Sequence, residues 1–178
     1  MMGVLADRPP WRVPHLGLFP LPDGALLEPM VVGAGLLAGV AWTLLLDELR
    51  DARLLGPRTR DAAADATMHG AWGIVFAIAA AVTEELLFRG AAANLFATVV
   101  ARGHALDAFA LVMGALVSSV AFALMHHAAP ETRTRVWLVY GLFGLAQCAF
   151  AFTTGSLVGP IVCHALVNFA ALVRLRAT

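Results

Sequence analysis

Lysine is absent from this 178-residue chain; all twelve basic residues are arginine. Charge of either sign is scarce: only 13% of residues are charged and 60% are hydrophobic, where a soluble domain carries about 25% charged residues. That shortage excludes an ordinary water-soluble domain and leaves a membrane protein. The formal net charge is zero, which argues against a nucleic-acid partner. Cysteine is nearly missing too. Cys148 and Cys163 lie inside apolar runs with no CxxC or zinc-type spacing, and read as small buried hydrophobes. No repeat of the apolar segments is present, which counts against a transporter built from duplicated halves. Residues 1–29 hold six of the nine prolines and lack an unbroken apolar stretch, so no cleavable signal peptide is expected there. They read as an irregular or interfacial lead-in.

What the chain does have is a series of apolar segments, each about 17–25 residues and long enough to cross a bilayer. The expected spans are Met30–Leu46, a second starting near Ala71, then Leu106–His127, Val136–Phe152 and Leu157–Val173. A polar loop up to residue 70, broken at Gly56-Pro57, follows the first. The apolar character of the second runs on to Val100, so a break near Gly90 is expected. Gly35-x-x-x-Gly39 in the first span suits close helix packing, and Gly159-Pro160 should kink or cap the fifth. The chain thus divides into the lead-in 1–29, a first span and loop 30–70, a main domain 71–173 and an arginine-bearing tail 174–178. The fold class is all-α, a polytopic transmembrane bundle of about five helices.

Arginine-rich short loops stay cytoplasmic. With five spans, eight of the arginines fall in the 47–70 loop, the 128–135 loop and the tail, while Arg8, Arg12 and Arg102 fall on the other side. This bias predicts an outside N-terminus and a cytoplasmic C-terminus. Trp72 and Trp137 then belong to a cytoplasmic aromatic belt.

The few polar groups inside the spans come in helical pairs. Glu85 and Arg89 are four apart and share a helix face, so they read as a structural ion pair. Glu84 points about 100° away from its neighbour, with no cation to neutralise it. Phe122 and His126 stand one turn apart on the third span, followed by His127, and His164 and Asn168 stand one turn apart on the fifth. Taken singly, each has a plain structural explanation as an ion pair, an interfacial histidine or an amide between helices. His15, His69 and His104 lie in polar stretches and read as solvated. Together the motif residues place a carboxylate, two imidazoles and an amide toward one centre between the second, third and fifth spans. Ionisable groups at such depth face the bundle interior or a wet cavity, and they signal function.

"EELLFR", "FALMH" and "HALVN", in that order, resemble the EExxxR, FxxxH and HxxxN motifs of the CAAX protease and bacteriocin-processing (CPBP, or Abi) family. The resemblance covers roughly Ala71–Val173. Family members commonly carry more helices before EExxxR than the single one expected here. The resemblance implies an intramembrane glutamic endopeptidase of the bacterial plasma membrane, acting on a peptide or membrane-anchored protein substrate, prenylated in the CAAX enzymes, which lose their last three residues. It also leaves open a bacteriocin-immunity or scaffold role without catalysis.

A carboxylate in a low-dielectric cavity is a better base than a solvated one. Glu84, with His126, is expected to hold and deprotonate a water, and to return the proton to the leaving amine. His164 and Asn168 are expected to donate hydrogen bonds to the oxyanion. Glu85, Arg89 and Phe122 are expected to support them. No cofactor is expected. The alternative is zinc held by Glu84, His126 and His164 with a water in the fourth position, although the chain has no HExxH.

Overall fold

The computed structural model describes residues 27–55, 71–102, 107–126 and 129–176. Almost all of the expected lead-in, the Gly56-Pro57 break, His69, His104 and His127 lie outside the described residues. The rest is helical, with no strand among the described residues. In chain order the elements are α1 (Leu27–Asp51), α2 (Ala71–Glu85), a π-helical segment (Leu86–Ala92), α3 (Ala93–Ala101), α4 (Ala108–Leu124), α5 (Arg133–Thr154) and α6 (Val158–Arg176).

Alanine and leucine dominate these segments and favour helix, so the boundaries follow from the few residues that do not. Asp107 caps α4, its carboxylate accepting from the Ala110 N–H at 2.8 Å. Gly155 takes the left-handed conformation that ends α5, with φ 63°. Pro160 falls within the first turn of α6, where its missing N–H costs nothing. The Gly159-Pro160 pair therefore opens the helix rather than kinking it.

Near Gly90 the expected break does not occur. The backbone stays right-handed helical through Glu85, Ala92 and Ala93, so α2, the π segment and α3 form one rod. The wider π turn loosens the usual ladder of carbonyls, and side chains take up the freed oxygens. Asn94 Nδ2 donates to the carbonyls of Arg89 and Gly90 at 3.0 and 2.7 Å. Ser118 Oγ, from α4, donates to the Phe88 carbonyl at 2.6 Å. A proline would have broken the rod; a bonded π turn only widens it.

Helices meet where side chains are smallest. α1 lies along α6: a methyl on Gly35 would stand 2.6 Å from the Gly159 carbonyl, and one on Gly39 would stand 3.0 Å from that of Cys163. Both numbers rise together along the two helices, so α1 and α6 run parallel. A methyl on Gly114 of α4 would overlap the Ala93 carbonyl of α3, and Gly144 of α5 presses on Ser119 of α4. Cys148 and Cys163 are free and wholly buried.

The outside of the bundle is apolar. Leu37, Val99, Phe109 and Leu138 are each more than 60% exposed, a surface that water would penalise and lipid would not. Pro29–Asp51 and Arg133–Thr154 are long and apolar enough to cross a membrane, and α4 and Val158–Val173 are shorter apolar helices.

Candidate active site

Glu85 and Arg89 bracket the first half of the π segment, and both are wholly buried. Arg89 Nη1 stands 3.2 Å from Glu85 Oε1. The guanidinium N–H groups meet no hydrogen-bond acceptor among the described residues. Instead the guanidinium carbon lies 4.3 Å from the centroid of Phe122, a cation–π contact strengthened by the exclusion of water. Charge and an aromatic face hold this arginine in place.

The same oxygen of Glu85 accepts a second group. His164 Nδ1–H, on α6, donates to Glu85 Oε1 at 2.7 Å. With Nδ1 so engaged, Nε2 is the nitrogen left for chemistry, and it faces Glu84 Oε2 at 3.6 Å. Phe122 and Phe143 pack edge-on against the imidazole, with centroids 5.8 and 5.3 Å away. The two adjacent glutamates thus differ in kind. Glu85 is sealed and bound on two sides, whereas the Glu84 side chain is one-third exposed and faces the far nitrogen of His164.

His126 follows the end of α4. Its Nδ1–H donates to the Phe122 carbonyl at 2.8 Å, its ring stacks on Tyr140 of α5 at 3.9 Å, and its own carbonyl accepts from Trp137 Nε1 at 3.2 Å. These contacts fix the ring and leave Nε2 as an acceptor. His126, His164 and the half-buried Asn168 line one cavity of about 70 Å³, room for more than one water. Glu84 does not line that cavity; it adjoins through His164. Among the described residues, no three His, Cys, Asp or Glu side chains group as a metal ion would require.

Several features depart from the sequence reading. His164 is expected to act beside Asn168, and the structure adds a bond from its Nδ1 to Glu85 that the sequence does not indicate. The site was expected between the second, third and fifth spans, yet α1 and α5 supply much of the wall. Trp42, Thr43, Leu46 and Arg50 come from α1, and Tyr140 and Phe143 from α5. Among the described residues, α1 is the helix ahead of the one bearing EExxxR, and it walls the cavity on that side. Tyr140 is the chain's single tyrosine, and its rarity within an apolar span was a signal available from composition. Asn94 was visible in the same way, as an isolated amide four residues beyond Gly90.

No curated protein and no solved structure matches the chain. A protein family does: the one described as Rce1-like, type II CAAX prenyl endopeptidase Rce1-like, matches residues 67–170. That stretch is more than half of the chain and contains all three motifs, from Glu84 to Asn168. The buried acid–arginine pair, the imidazole it holds and His126 all lie within the matched span, whereas the α1 wall of the cavity lies outside it. The chain belongs to the Rce1-like family of membrane-embedded CAAX prenyl endopeptidases.

Proposed function

We propose that this chain is an intramembrane endopeptidase that hydrolyses a peptide bond near the C-terminus of a membrane-anchored, prenylated protein, using Glu84 as general base. The observation that supports this most is the asymmetry of the two glutamates around His164. Glu85, neutralised by Arg89 and bonded to Nδ1, fixes the ring. Glu84 stands at the other nitrogen, with no arginine partner among the described residues. The 3.6 Å separation is too long for a direct hydrogen bond, so Nε2 is not tied to Glu84.

In the reaction a water held by Glu84 and His126 attacks the scissile carbonyl. The new C–O bond forms as the water's proton passes to Glu84 and the carbonyl π pair moves onto oxygen. Asn168, and His164 through Nε2–H when it carries the second proton, donate to that oxyanion, and each such donor is worth on the order of 10²–10³ in rate. The C–N bond then breaks, and the proton on Glu84 goes to the leaving amine. Phe122 and Phe143 keep bulk water from the Glu85 side, which maintains the field that orients the imidazole.

In the same reading all five rods span the membrane, with the N-terminus outside and the C-terminus cytoplasmic. No metal takes part; a zinc enzyme using Glu84, His126 and His164 as ligands would behave oppositely under chelation. The test is cleavage of a peptide library by purified protein, wild type against Glu84→Gln, with and without a stringent chelator. Cleavage by wild type alone, indifferent to chelator, supports the proposal. Loss on chelation with rescue by zinc replaces the base mechanism. No cleavage by either protein leaves a non-catalytic scaffold, and equal cleavage by both removes Glu84 as the base.

A further inference from the structure

The motif residues around the cavity are short of hydrogen-bond donors. An oxyanion is stabilised by N–H and O–H groups aimed at it. His164 gives its Nδ1–H to Glu85 at 2.7 Å, and His126 gives its own to the Phe122 carbonyl at 2.8 Å. Each neutral imidazole therefore has an unprotonated Nε2, which accepts and cannot donate. Of the motif residues on the wall, Asn168 alone offers N–H groups whatever the protonation of the histidines. His164 becomes a donor only with a second proton.

A hydroxyl stands beside this shortage. Tyr140 on α5 lines the same cavity as His126, His164 and Asn168. Its ring lies on that of His126, with centroids 3.9 Å apart and planes 20° from parallel. Phe143, three residues on, packs on His164, so α5 lays one aromatic face across both imidazoles although it carries none of the three motifs. The group is compact: the Phe122 centroid is 4.6 Å from that of His126, 5.8 Å from that of His164 and 6.3 Å from that of Tyr140. Packing alone does not call for tyrosine. The chain has ten phenylalanines and this one tyrosine, and a phenol in an apolar span needs a polar partner. Tyr140 meets Phe122 and His126 through its ring, and no group among the described residues takes up its hydroxyl. The other neutral donors on the wall are worse placed. Thr43 Oγ1 is sealed within the protein, and the Trp42 ring packs on Phe143.

We propose that Tyr140 is a further catalytic residue, whose hydroxyl donates a hydrogen bond, beside Asn168, to the carbonyl oxygen of the bond being hydrolysed. This role rests on the endopeptidase reading for its reaction. The attacking water is held at His126, so a donor on the ring stacked against His126 lies by the carbonyl that the water reaches. The phenol keeps its proton throughout. The water's proton goes to Glu84 and then to the leaving amine, while the Tyr140 O–H bond only tightens its contact as charge grows on the carbonyl oxygen. With Tyr140 and Asn168 the oxyanion has two neutral donors, and its stabilisation does not wait on a second proton at His164.

Tyr140→Phe keeps the stacked ring and removes only the hydroxyl. With the full chain in detergent and an S-farnesyl peptide as substrate, kcat should fall by about 10²-fold while KM stays within about twofold. The thermal unfolding midpoint should not move. A phosphinic analogue of the same peptide, with a tetrahedral anionic centre in place of the scissile carbonyl, should lose affinity by the same order, because it resembles the transition state. A third measurement needs no substitution. Since Tyr140 is the single tyrosine, 3-fluorotyrosine supplied during expression labels it alone, and its fluorine resonance should shift when the phosphinate binds. An unchanged kcat in Tyr140→Phe overturns the inference and leaves the ring as packing. A raised KM with kcat retained also overturns it, since that marks binding of the ground state. An unmoved fluorine resonance at saturating phosphinate does the same. If wild type cleaves no peptide, the endopeptidase reading fails and the phosphinate decides for Tyr140: weaker binding to Tyr140→Phe keeps the hydroxyl as an anion donor, and equal binding or none removes it.

Discussion

The polar centre and the α1–α6 seam hold helices together by opposite means. At the centre, Glu85, Arg89 and His164 join the π segment to α6 through charge, in a space sealed by Phe122 and Phe143. Along the seam, Gly35 and Gly39 let α1 approach the backbone of α6 and the side chains of Val162 and Leu166 without any charge. Lipid offers no hydrophobic gain for bringing two apolar helices together, so close packing must do it. A buried charge cluster is a poor way to gain stability, because its desolvation cost rivals its attraction. The centre therefore fixes the direction of one imidazole, and the seams carry the stability. Substitutions on either side should separate the two roles.

The largest effect falls on rate without touching stability. Glu84→Gln keeps the shape and removes the proposed base, so peptide cleavage should drop by about 10²–10⁴-fold, with the thermal unfolding midpoint of the purified protein unchanged. Glu85→Gln is the paired contrast, since it should lower both. If the two variants lose activity equally and Glu85→Gln unfolds like wild type, the two glutamates do not differ in the way their burial indicates.

Next comes the ion pair itself. Arg89→Met leaves Glu85 buried with only His164 beside it, and removing one partner of such a pair costs about 3–5 kcal/mol. Combining it with Glu85→Leu removes the stranded charge as well. Denaturant unfolding in detergent should show the double variant recovering most of the loss, while cleavage stays absent because nothing orients His164. A double variant as unstable as the single one would mean that the pair holds the bundle together.

How much of this could be read beforehand depended on whether partners were close in sequence. EExxxR, FxxxH and HxxxN were legible because residues four apart on a helix share a face, and the apolar spans were legible from length and composition. The Glu85–His164 bond was not, since it joins residues on different helices and no periodicity ranks one acid over its neighbour as partner. The π segment was hidden for a related reason: its signals are Asn94, just beyond it, and Ser118, far away on α4. The share of the wall supplied by α1 was invisible as well. It follows from a parallel docking on α6 that only the small-residue spacing at Gly35 and Gly39 foreshadowed.

The seams give smaller and more graded effects. Gly114→Ala would place a methyl against the Ala93 carbonyl, backbone that cannot swing away. Overpacking of this kind costs about 1–3 kcal/mol, and it should appear as a lowered unfolding midpoint. Cleavage per folded molecule should fall less, because α3 lies beyond the π segment from the cavity.

The smallest effect has the opposite sign and tests the seam most cleanly. Gly33 sits two residues before Gly35 on the same helix, yet a methyl there meets nothing within 4 Å, whereas one on Gly35 meets the Gly159 carbonyl at 2.6 Å. Helix propensity alone favours alanine over glycine by roughly 0.5–1 kcal/mol. Gly33→Ala should therefore raise the unfolding midpoint slightly, while Gly35→Ala should lower it despite the same gain in propensity. The difference between the two isolates what close approach of α1 to α6 is worth. If both substitutions stabilise, α1 does not rest on α6 through its glycines.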